Sequence, residues 1–349
     1  MNSSSKICLA RVDRIGDLVL TLPCEEFWKI RRPQDQIEWL AEDSLKFVID
    51  HAEPRLGAAT YVKNSSGILN QWRSLLRLTQ LLRVKAYDEV VAFHVPWWVA
   101  AAFFFAGIKK RHGVASQWYS WLFFNHRLRQ KRSLAVQHES QYNFDLVDFA
   151  LGHEKISTSP RGATLKASAG LTEKWIKVLK EKNLDLSRLV VVHAGMGGSA
   201  RNWPPAFYKS LTEKMISNKI SVVLTGGPLD QEILEGSGLL KISGIISLLN
   251  QTQGADLLAV LSLAKVLVAP STGVAHLAAA LGVSTAAIYS PVLVQAPLRW
   301  KPVGPDVKVF VAQVDCPGKL RCLGNACPHF DCMEQIPVDS VLAYVMDNL

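Results

Sequence analysis

Continuous apolar runs alternate along most of the chain with segments whose apolar residues recur at helical spacing. Runs such as ICLARV, RLVVVHAG and KVLVAP predict strands that are buried on both faces. Segments such as LTEKWIKVLKEKN and PPAFYKSLTEKMISN predict amphipathic helices between them. Buried strands that alternate with helices are typical of parallel, doubly wound sheets, so we predict an α/β fold.

The longest apolar stretch, Val90 to Ile108, carries no full charge and approaches the length of a membrane span. His94 and Pro96 divide it, so we predict a strand, VVAFHV, followed by a helix, WWVAAAFFFAGI. The first residues, MNSSSKICLARVDRIGD, lack the apolar stretch of a secretion signal. We therefore expect a cytoplasmic protein.

At 349 residues the chain is long for one hydrophobic core, and we predict two domains. The segment from Ser157 to Ala169 is rich in Ser, Thr, Pro and Gly and is the predicted linker, after which the strand and helix pattern restarts. The predicted boundaries are 1–160 for the first domain and 161–335 for the second, with a final helix in 336–349. A hydrophobic fraction of 49% excludes an intrinsically disordered chain.

The net charge of +9 is unevenly distributed, because no Asp or Glu lies between Glu89 and Glu139. Aromatic residues are interspersed with the cations of this window, which suits a membrane interface, an anionic glycolipid or a single-stranded nucleic acid. The alternative is a solvated basic helix with buried aromatics. Its cations are Lys109, Lys110, Arg111, Arg127, Arg129, Lys131 and Arg132.

Ligands of open parallel sheets bind beyond the carboxyl ends of the strands, so the loops after the strands are the candidate sites. The first of these is DRIGD, in which Arg14 and Gly16 are candidates for binding an anion. Asp17 lies where a helix begins, and a carboxylate is favoured at that position. It is therefore either a functional acid or a simple helix cap.

Two glycine-rich loops follow strands of the second domain. In HAGMGGSARNWP, the glycines allow a ligand to approach the backbone and Arg201 supplies a planar cation. In TGGPLDQE, which begins at Thr225, Gly226 and Gly227 leave room beside a flat ring, and Asp230 or Glu232 is placed to accept hydrogen bonds from a ribose. The alternatives are a surface loop that needs positive backbone angles, and a turn whose acids stabilise the start of a helix.

A third loop, APSTGV, connects an apolar strand to an apolar helix. The backbone N–H groups of Ser271, Thr272 and Gly273, with two hydroxyls, are placed as a phosphate site requires. His276, on the helix that follows, is either a ligand contact or a half-buried side chain that ties the turn to a neighbour. The chain contains no GxGxxG or Walker motif, so a nucleotide would bind in another manner.

Four of the six cysteines lie in CPGKLRCLGNACPHFDC, at positions 316, 322, 327 and 332. The spacing lacks the CxxC pairs of a typical zinc site, so we favour a reduced structural segment, with zinc as the alternative. The roles of Cys316, Cys322, Cys327 and Cys332 stay open at this point.

Five segments in order along the chain resemble glycosyltransferase family 9, the bacterial heptosyltransferases of lipopolysaccharide core assembly. The resemblance covers about Arg11 to Ile336. The segments are RVDRIGDLVLTLP, HAGMGGSARNWP, TGGP with a following acid, SLAKVLVAPSTGVAHLAAALGVSTAAIYSP and CPGKLRCLGNACPHFDCM.

This resemblance implies a GT-B fold, in which two Rossmann-like domains face each other across a cleft and the C-terminal helix packs back on the N-terminal domain. It further implies inverting, metal-independent transfer without a cofactor. The co-substrate would be an ADP-sugar, typically ADP-heptose, held by the C-terminal domain. The acceptor would be an anionic glycolipid bound by the N-terminal domain.

The resemblance also assigns roles to residues. Asp17 matches the family's general base, and Asp230 matches the acid that contacts the ribose. The further donor-binding candidates are Arg201, Thr225, Gly226, Gly227, Ser271, Thr272, Gly273 and His276, and the acceptor-binding candidates are Arg14, Gly16, Lys109, Lys110 and Arg111.

The chain departs from the family pattern at three places. Ser271 stands where the family usually has an Asp, which puts the sugar in question. Arg201 replaces the usual Lys before the Trp-Pro pair and keeps the charge. Met196 stands where a small hydroxyl residue is common, and Ser199 is a candidate substitute.

The expected function is a heptosyltransferase of lipopolysaccharide biosynthesis that is peripheral to the inner face of the cytoplasmic membrane. One alternative is a relative that glycosylates a protein or another surface glycan with a different sugar. Another is a non-catalytic protein that binds nucleotide-sugars or glycolipids. We expect no nucleic-acid partner.

Overall fold

The computed structural model describes residues 4–61, 68–152, 159–197 and 200–349 and divides into two compact units. The first unit comprises residues 1–132 and 139–163, and the second comprises 133–138 and 164–349. The first two residues of the predicted linker, 157 and 158, lie outside the described residues, as do Gly198 and Ser199.

In the first unit, six parallel strands form one sheet in the order β4-β2-β1-β5-β6-β7. The strands of this unit are β1 Lys6–Arg11, β2 Gln36–Glu42, β3 Ala52–Glu53, β4 Ala58–Tyr61, β5 Glu89–His94, β6 Lys110–Val114 and β7 His126–Leu128. Its helices are α1 Ile15–Val19, α2 Cys24–Arg31, α3 Lys46–Asp50, α4 Ile68–Lys85, α5 Trp97–Phe105, α6 Ser120–Phe123 and α7 Glu139–Leu151.

In the second unit, six parallel strands form a sheet in the order β11-β10-β9-β12-β13-β14. The strands of this unit are β8 Thr164–Leu165, β9 Leu189–His193, β10 Ser221–Thr225, β11 Ile245–Ser247, β12 Val266–Pro270, β13 Ser284–Tyr289 and β14 Val307–Val311. Its helices are α8 Ala169–Glu181, α9 Pro205–Ser217, α10 Gln231–Gly236, α11 Ala255–Leu263, α12 Gly273–Ala280, α13 Pro297–Trp300 and α14 Val338–Asp347.

Both sheets are doubly wound. The chain adds strands on one side of the first strand and then returns to add the remaining strands on its other side. The reversal lies between β1 and β5 in the first unit and between β9 and β12 in the second. Parallel sheets of this kind bind ligands in the crevice at that reversal, beyond the carboxyl ends of the strands. The loops after these four strands are therefore where the fold positions a site.

The apolar stretch from Val90 to Ile108 forms β5 and α5, as its pattern predicts. The central strands are buried on both faces, which explains their continuous apolar runs. Among the helices that the structure describes, none is both long enough and apolar enough to cross a bilayer.

The final helix does not pack as the family resemblance implied. Val341, Tyr344 and Val345 of α14 belong to the hydrophobic core of the second unit, together with residues of its strands and of α9. The Tyr344 hydroxyl also donates a hydrogen bond of 2.8 Å to Asp306 of the same unit. The prediction that this helix returns to the N-terminal domain is therefore wrong, because its apolar face is already buried in the second unit.

Candidate functional site

Asp17 lies where the strand reversal of the first sheet places a ligand. The turn that follows β1 leads directly into α1, and Asp17 is buried in the first turn of that helix. Gly16 is buried beside it, and Arg14, at the start of the turn, is exposed. The predicted base is thus positioned by backbone geometry at the expected edge of the sheet.

The buried guanidinium of Arg11, at the end of β1, organises the acids around Asp17. Its Nε and Nη2 donate to the two carboxylate oxygens of Asp13 at 2.7 and 2.9 Å. The same Nη2 donates to Asp17 Oδ1, and Nη1 lies 3.4 Å from Glu139 Oε1 on α7. Arg132 also donates to that Glu139 oxygen. Two cations therefore share three carboxylates.

Burial raises the pKa of the Asp17 carboxyl to about 7, and Asp13 and Glu139 add to this rise. The Arg11 guanidinium acts in the opposite direction, because it favours the ionised carboxylate. A carboxyl with a pKa near neutrality is suited to accept a proton and to release it again. This arrangement is chemically what a general base requires.

Asp17 is also fixed through its backbone. The Thr21 hydroxyl donates to the Asp17 carbonyl at 2.6 Å, and Asn143 Nδ2 on α7 donates to the Thr21 hydroxyl at 2.9 Å. Side chains from β1, the first turn and α7 therefore meet around one carboxylate. Sequence reasoning missed Arg11, Glu139 and Asn143, although a charged residue at the end of an apolar strand was the available signal for Arg11.

Three predicted acceptor-binding residues lie elsewhere in the unit. Lys110 begins β6 and Lys109 precedes it, so both are at the amino-terminal edge of the sheet, opposite the edge that carries Asp17. Lys110 pairs with Glu89 at 3.7 Å, and the Arg111 guanidinium donates to the carbonyls of Ile108 and Phe123. Their role in binding an acceptor stays a prediction, and the structure shows that they lie at the edge of the sheet away from Asp17.

In the second unit, the loop after β10 is shaped around Asp230. Its carboxylate accepts a 2.9 Å hydrogen bond from the backbone N–H of Gly227. A side chain at Gly195, in the loop after β9, would place its Cβ 2.0 Å from Asp230 Cγ, and one at Gly226 would meet Leu249 at 2.8 Å. The two glycines therefore make room for close packing of these loops.

His193 ends β9 and was not predicted as a site residue. Its Nδ1 lies 3.0 Å from the Thr225 hydroxyl at the end of β10. Burial lowers the pKa of His193 to about 4, so the ring is neutral at physiological pH. The contact ties the loop after β9 to the loop after β10, which includes Asp230.

The turn between β12 and α12 contains buried polar atoms without partners. Thr272 Oγ1 and His276 Nδ1 have no hydrogen-bond partner in the part of the chain that the structure describes. Leaving such atoms unpaired inside a protein is costly. Burial lowers the pKa of His276 to about 3, so its ring is neutral at physiological pH.

Ser271 and Gly273 flank Thr272 in this turn. Gly273 begins α12, and the Ser271 hydroxyl hydrogen-bonds with the hydroxyl of Tyr289 at the end of β13. The Tyr289 hydroxyl donates to the Trp300 carbonyl at 2.5 Å. Tyr289 was not predicted, since it resembles any other apolar residue at a strand end.

Arg201 contacts the cysteine-rich segment. Its guanidinium donates to the Phe330 carbonyl and lies 3.5 Å from Cys322 Sγ. The backbone N–H of Gly324 and the Arg201 guanidinium lower the pKa of the Cys322 thiol. All four cysteines of this segment carry free thiols.

A model of glycosyltransferase family 9 (heptosyltransferase) matches residues 75–326. A Haemophilus influenzae protein named "Putative glycosyltransferase" is 28% identical over 97% of this chain and 95% of its own length.

Solved structures show the same fold at lower identity. A glycosyl transferase family 9 protein of Veillonella parvula superposes with a TM-score of 0.80 at 16% identity and covers 98% of this chain and 97% of its own. The E. coli ADP-heptose lps heptosyltransferase II has a TM-score of 0.78 at 19% identity and covers 98% and 99%. The chain therefore belongs to glycosyltransferase family 9 and has the GT-B architecture of its heptosyltransferases.

Proposed function

We propose that the protein transfers a heptose, or a related sugar, from an ADP-sugar to an anionic acceptor of the lipopolysaccharide core or of lipid A–Kdo. The observation that carries the proposal is Asp17, a buried carboxyl with a raised pKa at the strand reversal of the first sheet. Family membership supplies the reaction class. In support of the donor, an E. coli relative, heptosyltransferase WaaC, has been solved with ADP-2-deoxy-2-fluoro heptose.

In the proposed reaction, an acceptor hydroxyl attacks the anomeric carbon from the face opposite the diphosphate. The new C–O bond forms as the bond to the diphosphate oxygen breaks, and ADP leaves with the bonding electrons. Asp17 accepts the proton of the attacking hydroxyl. The sugar passes through an oxocarbenium-like transition state, and the acceptor is bound by the first unit, near Arg14 and Gly16.

The second unit would bind the donor. Asp230 would accept hydrogen bonds from the ribose, beside Thr225, Gly226 and Gly227. The turn of Ser271, Thr272 and Gly273 would hold the diphosphate, where Thr272 Oγ1 and His276 Nδ1 lack partners among the described residues. Arg201 would add positive charge for the departing ADP, without a metal.

Ser271 favours a second candidate function. The acid that the family usually carries at this position is replaced by a hydroxyl that is engaged with Tyr289. A different donor sugar, or transfer to a protein or other glycan, follows naturally from that replacement. A non-catalytic binding protein is the further alternative, and Asp17 in its organised cluster argues against it.

Transfer from ADP-heptose to a deacylated core acceptor, measured with a chelator present, tests the proposal. We expect turnover by the wild type, and a fall in kcat of about 10²–10⁴-fold for Asp17→Asn, because the base acts in the transition state. ADP affinity by calorimetry should stay unchanged in that variant. Asp50→Asn, at an exposed carboxylate of the same unit, is the matched control.

Equal losses of kcat and ADP affinity in Asp17→Asn would remove Asp17 as the base. Turnover with another nucleotide sugar alone would favour the second candidate. Absence of both turnover and nucleotide binding would favour a protein without transferase activity.

An acceptor embedded in lipid would bring the enzyme to the inner face of the cytoplasmic membrane, so we also propose peripheral membrane association.

A further inference from the structure

Large apolar side chains are exposed at the ends of two neighbouring helices of the first unit. Phe104 and Phe105, at the end of α5, are 45% and 50% exposed, and Trp121 and Leu122 of α6 are 64% and 62% exposed. We call these four residues the α5–α6 surface. Single exposed apolar residues are ordinary, but a group of this size on adjacent helices marks an interaction site.

Ring contacts bring the exposed end of α5 next to α6. The ring of Phe104 lies 5.5 Å from that of Phe105 and 6.1 Å from that of Phe123, the last residue of α6. Helices α5 and α6 are in direct contact. The end of α5 that carries Phe104 and Phe105 therefore lies against the short helix that carries Trp121 and Leu122.

Cations surround this surface and lie on its rings. The Arg127 guanidinium is 4.4 Å from the ring centre of Trp121, and that of Arg111 is 5.3 Å from the ring centre of Phe104. Arg83 of α4 donates to the Phe105 carbonyl at 2.9 Å, and Lys109 is exposed nearby in sequence. No acidic residue lies between Glu89 and Glu139, and Lys110, although it pairs with Glu89, keeps 57% of its side chain exposed. The segment therefore carries an excess of positive charge.

The occupant must therefore be both apolar and anionic. A bilayer with anionic lipids meets both requirements, since aromatic and aliphatic side chains insert at the headgroup boundary while Arg and Lys contact the phosphates. A single-stranded nucleic acid needs free ring faces for stacking. Here a guanidinium already lies over one face of Trp121 and of Phe104, which leaves less ring surface for a base to stack on.

We propose that the α5–α6 surface docks the protein on a bilayer that carries anionic lipids. The inference rests on the proposed function in one respect, because a glycolipid acceptor is itself anchored in a membrane. It adds which face of the first unit makes the contact and which lipid charge is needed. Three of the acceptor-binding candidates, Lys109, Lys110 and Arg111, would contact lipid headgroups.

The test is co-sedimentation of the full chain with vesicles of phosphatidylcholine alone or with added phosphatidylglycerol. We expect binding to the anionic vesicles that weakens as salt is raised. The double variant Trp121→Ser/Leu122→Ser should lower vesicle partitioning by about tenfold or more, because two inserted apolar side chains are lost. Leu298→Ser, at a side chain that is 60% exposed in the second unit, is the matched control and should bind like the wild type.

A charge variant tests the contribution of the cations separately from that of the apolar side chains. Lys109→Glu should weaken binding to anionic vesicles and leave any residual binding to neutral vesicles unchanged. Phe105→Ser provides an independent apolar variant if the double variant does not fold, as judged by circular dichroism.

Several results would overturn the proposal. These are equal binding to both vesicle types, wild-type binding by the folded double variant, or no vesicle binding at all. Light scattering that shows a dimer lost in the double variant would identify a second copy of the chain as the occupant. Loss of oligonucleotide binding in that variant, without vesicle binding, would identify a nucleic acid.

Transfer to a deacylated, lipid-free acceptor keeps this proposal separate from the proposed function. The apolar variants Trp121→Ser/Leu122→Ser and Phe105→Ser should transfer to that acceptor at the wild-type rate. If vesicle binding fails while transfer proceeds, only the docking surface is wrong. If no acceptor is used but vesicle binding follows the expected pattern, only the transferase assignment is wrong.

Discussion

Arg11 Nη2 donates at once to Asp13 Oδ2, at 2.9 Å, and to Asp17 Oδ1. One buried nitrogen therefore joins an acid of the turn after β1 to the proposed base on α1. The arrangement fixes where the Asp17 carboxylate points, and it balances part of the charge that burial disfavours. In the proposed mechanism, Arg11 acts on the reaction only through Asp17 and is a positioning residue.

The rate of transfer should depend on the ionisation of Asp17. The charged groups that influence it are Arg11, Asp13, Arg14 and Glu139, and burial is the largest influence. Because the base must be ionised and its pKa is about 7, kcat should fall by about tenfold per pH unit below that pH. A kcat profile against pH measures this limb.

Arg11→Lys tests the direction of the Arg11 contribution. Arg11 lowers the pKa of Asp17, and Lys loses the planar fork that holds both acids. The pKa of Asp17 should therefore rise, and the acid limb of the kcat profile should move to higher pH. Arg31→Lys, at the ion pair with Asp148, is the control. A limb that stays in place or moves to lower pH would contradict the role given to Arg11.

Gly195→Ala should disturb the loop that contains Asp230. The added Cβ would lie 2.0 Å from Asp230 Cγ, so the carboxylate must move away. We expect a loss of about 1–3 kcal/mol in the free energy of unfolding, from denaturant titration, together with weaker ADP binding.

Gly170→Ala is the control for that change. A Cβ at Gly170, on α8 of the same unit, meets nothing within 4 Å. Alanine in a helix is favoured by about 0.5–1 kcal/mol over glycine, so this variant should be slightly more stable and bind ADP normally. Identical behaviour of the two variants would show that Asp230 does not depend on Gly195.

Thr272→Val should raise the stability of the unliganded protein but lower its affinity for ADP. Its buried hydroxyl has no partner within the described ranges, so removing it costs the unliganded protein nothing and is expected to raise its Tm. If a phosphate of the donor accepts a hydrogen bond from that hydroxyl, ADP binding by the variant should weaken by about 1.5–3 kcal/mol.

Thr252 supplies a matched comparison, because its Oγ1 is also buried and unpaired among the described residues of the second unit. Thr252→Val should raise the Tm without any change in ADP affinity. Calorimetry that shows unchanged ADP binding for both variants would remove Thr272 from the donor site.

Arg201→Ala should raise the pKa of the Cys322 thiol, because the guanidinium favours the thiolate. The rate of Cys322 alkylation by iodoacetamide at neutral pH should therefore fall in Arg201→Ala. Arg201→Lys keeps a positive charge and should retain part of the wild-type alkylation rate. An ADP titration of the same variants tests the donor role separately. A loss of about 1.5–3 kcal/mol is expected if Arg201 contacts the diphosphate in the bound state.

The strands and helices were predictable because their apolar periods are regular, and the position of Asp17 followed from a loop after a strand. The sequence did not show which edge of the sheet Lys109 to Arg111 would occupy, since that depends on strand direction in the folded sheet. His193 and Tyr289 were missed because their roles come from neighbouring strands that are distant in sequence. The packing of α14 was mispredicted because an amphipathic helix does not encode which core buries it.

The segment 133–138 belongs to the second unit although both of its flanks belong to the first. His138 lies in it, and its Nε2 is 2.8 Å from the Lys301 carbonyl. The polypeptide therefore passes between the units three times, after residues 132, 138 and 163. Expression of residues 164–349 alone would omit a piece of the second unit, so dissecting this enzyme into halves requires grafting that hexapeptide rather than a single cut.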